Sequence, residues 1–464
     1  MRAWRSTSRI LVTALVTATL AGGVAQAAPE PEEAEKTAAD GRPLVEGPIA
    51  GTVPGDPSAP EVADTYPWMS TVTDLAAAGY VEEEFYLSGE ADAYRPTGER
   101  VASDVPYTTR LIVRRPTDPG RFNGTVLTEW QNVSAGYDLD ALWSPEQIMR
   151  EGYAWVGVSA QRVGVDQLRG WSPARYGDLD VTGQGAFTAD ELSYDIFAQA
   201  AEALRSRGGD ARPLGRLRAR TVVAVGASQS AGRMTVYYDR VLPGTTPVFD
   251  AYAFIVGPAP SRRGEEPVFH VLSETDVRTP VRRADDDRYR RWEVAGTAHS
   301  GWHGQAYRKP VLDRDLGAAP EYACDRPPFS RAPLHHVLAA AYHHLVRWAR
   351  YGSEPPSAPP LEFAADGTLA RDGLGLARGG IRLSQVEVPT ALNDGINSGE
   401  TFCVLFGSHI PFDKARLDEL YPSPGRYVSA VRRADIRAVL DGHLLPADAY
   451  QNLRDALASG IGRP

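Results

Sequence analysis

Four short runs are apolar at almost every position: AWVGVSA (154–160), TVVAVG (221–226), AYAFIVG (251–257) and PVFHVLS (267–273). A strand with one wet face alternates polar and apolar side chains, because successive residues point to opposite sides. Strands that lack the alternation are buried on both faces and need a covering layer above and below. Helix-forming stretches lie between these runs. The pattern therefore predicts an α/β fold, a mostly parallel central sheet with helices on both faces.

Other segments fit around that centre. GYVEEEFYLSGEADAY, from about residue 78, reads as a strand, as do TTRLIVRRP (108–116) and TVLTEW (125–130), separated by the turn PTDPGRFNG. An antiparallel hairpin is expected at one edge. SPEQIMREGY opens with Ser-Pro and an acid in its first turn, which suits a short helix. In TADELSYDIFAQAAEALRSRGG, Thr188 and Glu191 have capping-box spacing, and Leu192, Ile196, Ala200 and Leu204 recur at helical period. A further helix is expected from about 231 to 241, RRWEVAG reads as another strand, and residues 333–352 read as a helix stopped by Gly352.

The two ends differ from this core. Residues 1–27 carry three arginines and no acid, then a short apolar stretch, then AQA ending at Ala27. These are the marks of a cleaved Sec-type signal peptide, with an apolar core too short to span a bilayer. Residues 28–60 are acidic and rich in Pro and Gly, so a flexible lead-in is expected. Residues 61–464 form the expected catalytic domain, with a core at about 105–352 and a C-terminal extension at 353–464. Losing the three arginines takes the formal charge from −10 to −13. An acidic exported chain is a poor partner for nucleic acid, and no membrane insertion is expected. In an oxidising compartment the only two cysteines, Cys324 and Cys403, are expected to pair.

The chemistry centres on GASQSAG (226–232), which follows the apolar strand directly. A nucleophilic serine on a strand-to-helix turn needs small residues two before and two after it, because the two backbones approach closely there. Gly226 and Ser230 fill those places if the nucleophile is Ser228. If it is Ser230, the turn comes two residues late and Ser replaces the first Gly. Ser228 is the expected nucleophile.

A serine hydroxyl needs a histidine to take its proton and a carboxylate to hold that histidine. After PVFHVLS comes ETDVRTP, with Asp276 the expected acid and Glu274 its alternative. After RRWEVAG comes TAHSGWH, with His299 favoured over His303. Backbone N–H groups should hold the developing oxyanion: that of Gln229, and one from the loop after TVLTEW, around Asn132 and Val133.

The phrases RFNGTVLTEWQNVSAG, VGVSAQRVGV, RYGDL, LSYDIFAQAAEAL, GASQSAGR, GGIRLSQVEVPTAL and FCVLFGSHIPFD resemble the secreted alpha/beta hydrolase domain-containing proteins. The resemblance covers nearly all of the chain after the signal. It implies the α/β-hydrolase fold and ester hydrolysis, and it matches the family's S-Q-S at Ser228, Gln229 and Ser230.

The expected function is thus an exported serine hydrolase acting on a small-molecule ester through an acyl-enzyme, without cofactor or metal. A lactonase or amidase would use the same residues, and a non-catalytic binding protein on this fold is the alternative of another class. Oligomeric state is left open. Four histidines on 333–352 (His335, His336, His343, His344) are expected on the surface or as caps, since their spacing suits no metal site. Asp138 and Asp140 either contact substrate or act as surface caps. Only SRRGEE separates IVGPAP from PVFHV, too little for a lid, so the expected covers are loop 161–187 and the segment after His299.

Overall fold

The computed structural model describes residues 42–206 and 211–463. The expected signal peptide and the first part of the lead-in lie outside the described residues. Among the described residues nine strands form one sheet: β1 (Leu44–Glu46), β2 (Tyr80–Tyr94), β3 (Arg100–Pro116), β4 (Thr125–Trp130), β5 (Ala154–Val158), β6 (Thr221–Ala227), β7 (Ala251–Ile255), β8 (Val268–Ser273) and β9 (Tyr289–Val294). Their order is β1-β2-β3-β5-β4-β6-β7-β8-β9. The strands β1, β2, β3 and β5 pair antiparallel in turn, and every pair from β5 to β9 is parallel. This is the α/β-hydrolase arrangement the sequence implied. β3 and β4, neighbours in sequence, are separated in the sheet by β5.

Helices cover both faces. They are α1 (Pro145–Glu151), α2 (Arg162–Trp171), α3 (Pro173–Tyr176), α4 (Ser193–Arg205), α5 (Gln229–Val236), α6 (Trp302–Leu316) and α7 (Leu334–Tyr351). The unbroken apolar run of β6 is explained by this layering. Val222 and Ala224 pack with Ile196, Phe197 and Met234 of α4 and α5, whereas Val223 and Val225 pack with Val337, Ala341 and Leu345 of α7.

Two expectations are corrected. The lead-in is not loose as far as residue 60: β1 pairs with β2 from Leu44↔Ser88, and the Ala50 carbonyl accepts from Arg175 Nη1 at 2.5 Å. Within the described residues 42–60 this stretch is held to the sheet, the Ile49 N–H donating to the Glu84 carbonyl at 2.8 Å. The Thr188–Glu191 capping box does not form either. Asp190 accepts from the Arg162 N–H and from Arg233 Nη2, both at 2.8 Å or less. That pins the loop, and α4 starts only at Ser193.

The C-terminal extension folds back over the carboxyl ends of the strands. It contains α8 (Ser384–Glu387), the hairpin β10 (Ala391–Asp394) and β11 (Ser408–Pro411), α9 (Lys414–Leu420), α10 (Pro424–Leu440) and α11 (Pro446–Ala458). The disulfide Cys324–Cys403 joins it to the segment after α6. Among the described residues no helix is long and apolar enough to cross a membrane.

One buried acid on β4 makes stability depend on pH. Glu129 is fully buried, accepting from Trp155 Nε1 at 2.9 Å and from the Leu142 N–H. Burial, aided by the neighbouring Asp140, pushes its carboxyl up to about 8. Between about pH 4.5 and 8 the folded protein keeps a proton that the unfolded chain releases, so stability falls as pH rises through that window. Denaturant unfolding at pH 5.5 and pH 8 should show a smaller loss for Glu129→Gln than for wild type, by roughly 2–3 kcal/mol. An equal loss in both proteins would remove Glu129 as the cause.

Candidate active site

Ser228 sits where β6 ends and α5 begins, at φ 56°, ψ −116°. A non-glycine residue holds that strained backbone only where its surroundings over-determine it. The surroundings do so here. The Ser228 N–H donates to the Ile255 carbonyl of β7 at 2.9 Å, and its carbonyl accepts from the Gly232 N–H at 3.1 Å. The strand and helix backbones also touch. A Cβ on Gly226 would come within 3.1 Å of the Ser230 carbonyl and the Ala231 N. One on Gly257 would lie 2.8 Å from the Ser228 carbonyl oxygen.

Ser230 occupies a different environment. It is fully buried, its hydroxyl donating to the Ala227 carbonyl at 2.9 Å and accepting from the Ala227 N–H at 3.0 Å. Both polar functions of that hydroxyl are spent on tying the helix start to the strand end. Ser228 lines the large cavity described below; Ser230 does not.

The strand ends bring His299 and Asp276 together. A one-turn helix at Glu274–Asp276 follows β8, and the turn after β9 leads to His299. His299 Nδ1 lies 2.7 Å from Asp276 Oδ1, and Asp276 Oδ2 accepts from Ser273 Oγ at 2.5 Å. Both residues are half-buried. Glu274 points elsewhere. It is buried and accepts from the Gly296 N–H at 2.6 Å, the Gly395 N–H at 3.1 Å and Arg371 Nη1 at 2.6 Å. It braces the histidine turn against the C-terminal extension. His303, the weaker base candidate, stacks on His335 with ring centroids 3.6 Å apart and lies 3.5 Å from Glu146.

The loop after β4 reaches the serine turn. Asn132 Nδ2 donates to the Ala227 carbonyl at 2.9 Å, but its backbone N–H donates to the Leu139 carbonyl at 3.3 Å. Asn132 therefore braces the turn, and its N–H is already engaged. The Val133 N–H makes only a long contact, 3.4 Å, to the Gln229 side-chain oxygen.

Ser228 and His299 line one cavity of about 670 Å3. Its walls come from the loop after β4, from α1, from the segment after His299 including α6, from the start of α7, and from the C-terminal extension. Near the disulfide, Tyr322, Phe402 and Phe406 form an aromatic cluster that lines it, and the Ser300 N–H donates to the Leu405 carbonyl at 2.9 Å. Of the two expected covers, only the segment after His299 takes part. Loop 161–187 forms α2 and α3 instead, with buried Arg175 paired to Glu84. His335 and His336 are not surface residues but line the cavity, and burial lowers the pKa of both. Asp138 and Asp140 are buried and do not line it; they pair with Arg110 (3.9 Å) and Arg114 (2.7 Å). Among the described residues no group of three or more His, Cys, Asp or Glu could hold a metal ion.

Solved structures resemble parts of the chain. A prolyl endopeptidase matches with TM-score 0.28 and 11% identity over 52% of this chain and 39% of its own. The esterase Est22 matches with TM-score 0.28 and 10% identity over 43% and 66%. Oligopeptidase B from Leishmania major matches with TM-score 0.22 and 16% identity over 39% and 20%. The chain spans less than two thirds of each of these. No curated protein matches it. The family model described as "Alpha/beta hydrolase domain" matches residues 45–454, nearly the whole described chain, and the protein belongs to that family of hydrolases.

Proposed function

We propose that this chain is an exported serine hydrolase that cleaves a carboxylic ester through an acyl-enzyme. The observation that carries the reading is Ser228, held at a strained strand-to-helix turn, sharing a cavity with a histidine whose Nδ1 is 2.7 Å from a carboxylate. In this reading Asp276 accepts a hydrogen bond from the Nδ1–H of His299 and fixes the tautomer, leaving Nε2 to take the proton of Ser228 as Oγ bonds to the ester carbon. The carbonyl oxygen becomes an oxyanion, held by the N–H groups of Gln229 and Val133. Collapse breaks the bond to the alcohol, which leaves with the proton from His299. Water then gives a proton to His299 as its oxygen bonds to the acyl carbon, and the acid leaves as the bond to Ser228 Oγ breaks and His299 returns the proton to Oγ. The largely apolar cavity wall suits an ester with an apolar body, and the cationic start of the sequence together with the disulfide supports export.

The test is labelling of the folded, signal-free protein with a fluorophosphonate, followed by peptide mass spectrometry. A single adduct on Ser228 is expected. Folded protein that takes no label, beside a reactive control hydrolase, would overturn the acyl-enzyme reading.

A further inference from the structure

Arg308 lies on α6 in the wall of the cavity and is only 8% exposed. Its Nη2 donates to Ser300 Oγ at 3.1 Å. Among the described residues no carboxylate lies within 4.0 Å of its guanidinium and no aromatic ring stacks on it. The other charged groups of the wall each have a partner or are exposed to solvent. Arg150 takes Asp448 with two bonds, at 2.9 and 3.2 Å, and Arg331 lies over the Trp302 ring. Glu146 faces His303 at 3.5 Å, and Asp455 accepts from Gln451 at 2.8 Å. Asp140, the strongest negative influence on Arg308, is held by Arg114 at 2.7 Å and the Tyr307 hydroxyl at 3.0 Å.

A guanidinium cannot shed its proton near neutral pH, so burial cannot be relieved by neutralisation. Burial does lower its pKa. An anion or a full set of neutral acceptors offsets the cost of taking such a charge out of water, as three neutral oxygens do for Arg350, and Arg308 has one such oxygen. The guanidinium has five N–H donors in a planar fork, and one nitrogen is spent on Ser300. None of its nitrogens is sealed in the interior without a partner, so the remaining donors open onto the cavity. Ser300 directly follows His299, which places this fork beside the histidine.

We propose that Arg308 receives a carboxylate on the substrate, so that the preferred ester carries a free carboxylate, as a dicarboxylic half-ester does. One buried cation without an anion, in a wall that also holds Glu146, Asp448 and Asp455, suits a monoanion better than a phosphate dianion. This inference rests on the hydrolase reading for its site, and the experiment separates the two.

Two p-nitrophenyl esters are compared: the mono-ester of glutaric acid, and the neutral pentanoate of similar length. Wild type should favour the glutarate in kcat/KM by about 10- to 100-fold, the range of a charge-assisted pair. Arg308→Met should bring that ratio to about one, and Arg308→Lys should keep part of it, with melting temperatures confirming that both fold. A wild-type ratio near one, or a ratio that Arg308→Met leaves in place, overturns the proposal. The second readout needs no turnover. Calorimetry on Ser228→Ala should show binding of monomethyl glutarate that dimethyl glutarate does not match and that Ser228→Ala/Arg308→Met loses. If that binding holds while no ester is cleaved, the anion site stands and the hydrolase reading falls. Cleavage without carboxylate preference leaves the hydrolase and removes the site.

Discussion

Ser228→Ala is expected to cut kcat by roughly four orders of magnitude or more, with a melting temperature within a few degrees of wild type. The reason is local. The strained backbone at Ser228 is imposed by bonds to Ile255 and from Gly232 and by the close packing of Gly226 and Gly257, none of which involves the hydroxyl. Alanine accepts the same backbone and loses only the hydroxyl. Ser230→Ala has the opposite profile. Its hydroxyl bridges the Ala227 N–H and carbonyl inside the protein, so removing it leaves two buried polar groups without that partner. The expected cost is about 1–3 kcal/mol of stability, with activity per folded molecule largely kept. Steady-state kinetics and thermal denaturation on both variants decide the matter. Equal loss of turnover from two folded proteins would refute the assignment of Ser228.

Legibility in the sequence followed the range of the interactions. The parallel strands were readable because burial on both faces writes itself into consecutive residues, as Val222 to Val225 do by packing alternately on two helix layers. The serine turn was readable because close backbone approach restricts residue size within five positions. The histidine and its acid each follow a recognisable strand, and order along the chain then brings them together. The length of the turn favoured Asp276 over Glu274, and it is Asp276 that lies 2.7 Å from His299. What was hidden is long-range. No local pattern announces that Phe402, Gln385 and Asp448 close over a serine more than 150 residues earlier, or that α7 turns His335 and His336 into the cavity. The capping box failed for a related reason. A short local motif lost to Asp190, whose partners Arg162 and Arg233 are 28 and 43 residues away. Arg308 was equally invisible, because an arginine on a helix looks the same in sequence whether its partner is solvent, an acid or an absent ligand.

Asp276→Asn is expected to lower kcat by roughly 10^3- to 10^4-fold and to leave the fold intact. An amide beside His299 Nδ1 can offer an N–H where the carboxylate accepted one, which favours the tautomer whose Nε2 already carries the proton. It also supplies no negative charge to stabilise the imidazolium. The side chain is half-buried and its other oxygen meets only Ser273 Oγ, so little packing or pairing is lost with the charge. Glu274→Gln acts through stability instead. Its carboxylate joins the turn before His299 to Gly395 and to Arg371, which also reaches Asp394 at 3.3 Å. Replacing it leaves Arg371 one acid instead of two, at an expected cost of about 1–3 kcal/mol. Turnover per folded molecule should fall less than tenfold, because the His299–Asp276 bond remains. Kinetics normalised to folded fraction, with melting curves alongside, separate the two outcomes. If Glu274→Gln produced the large kinetic loss and Asp276→Asn the small one, the acid serving His299 in turnover would be the residue that holds the turn, and the 2.7 Å contact to Asp276 would be a resting arrangement only.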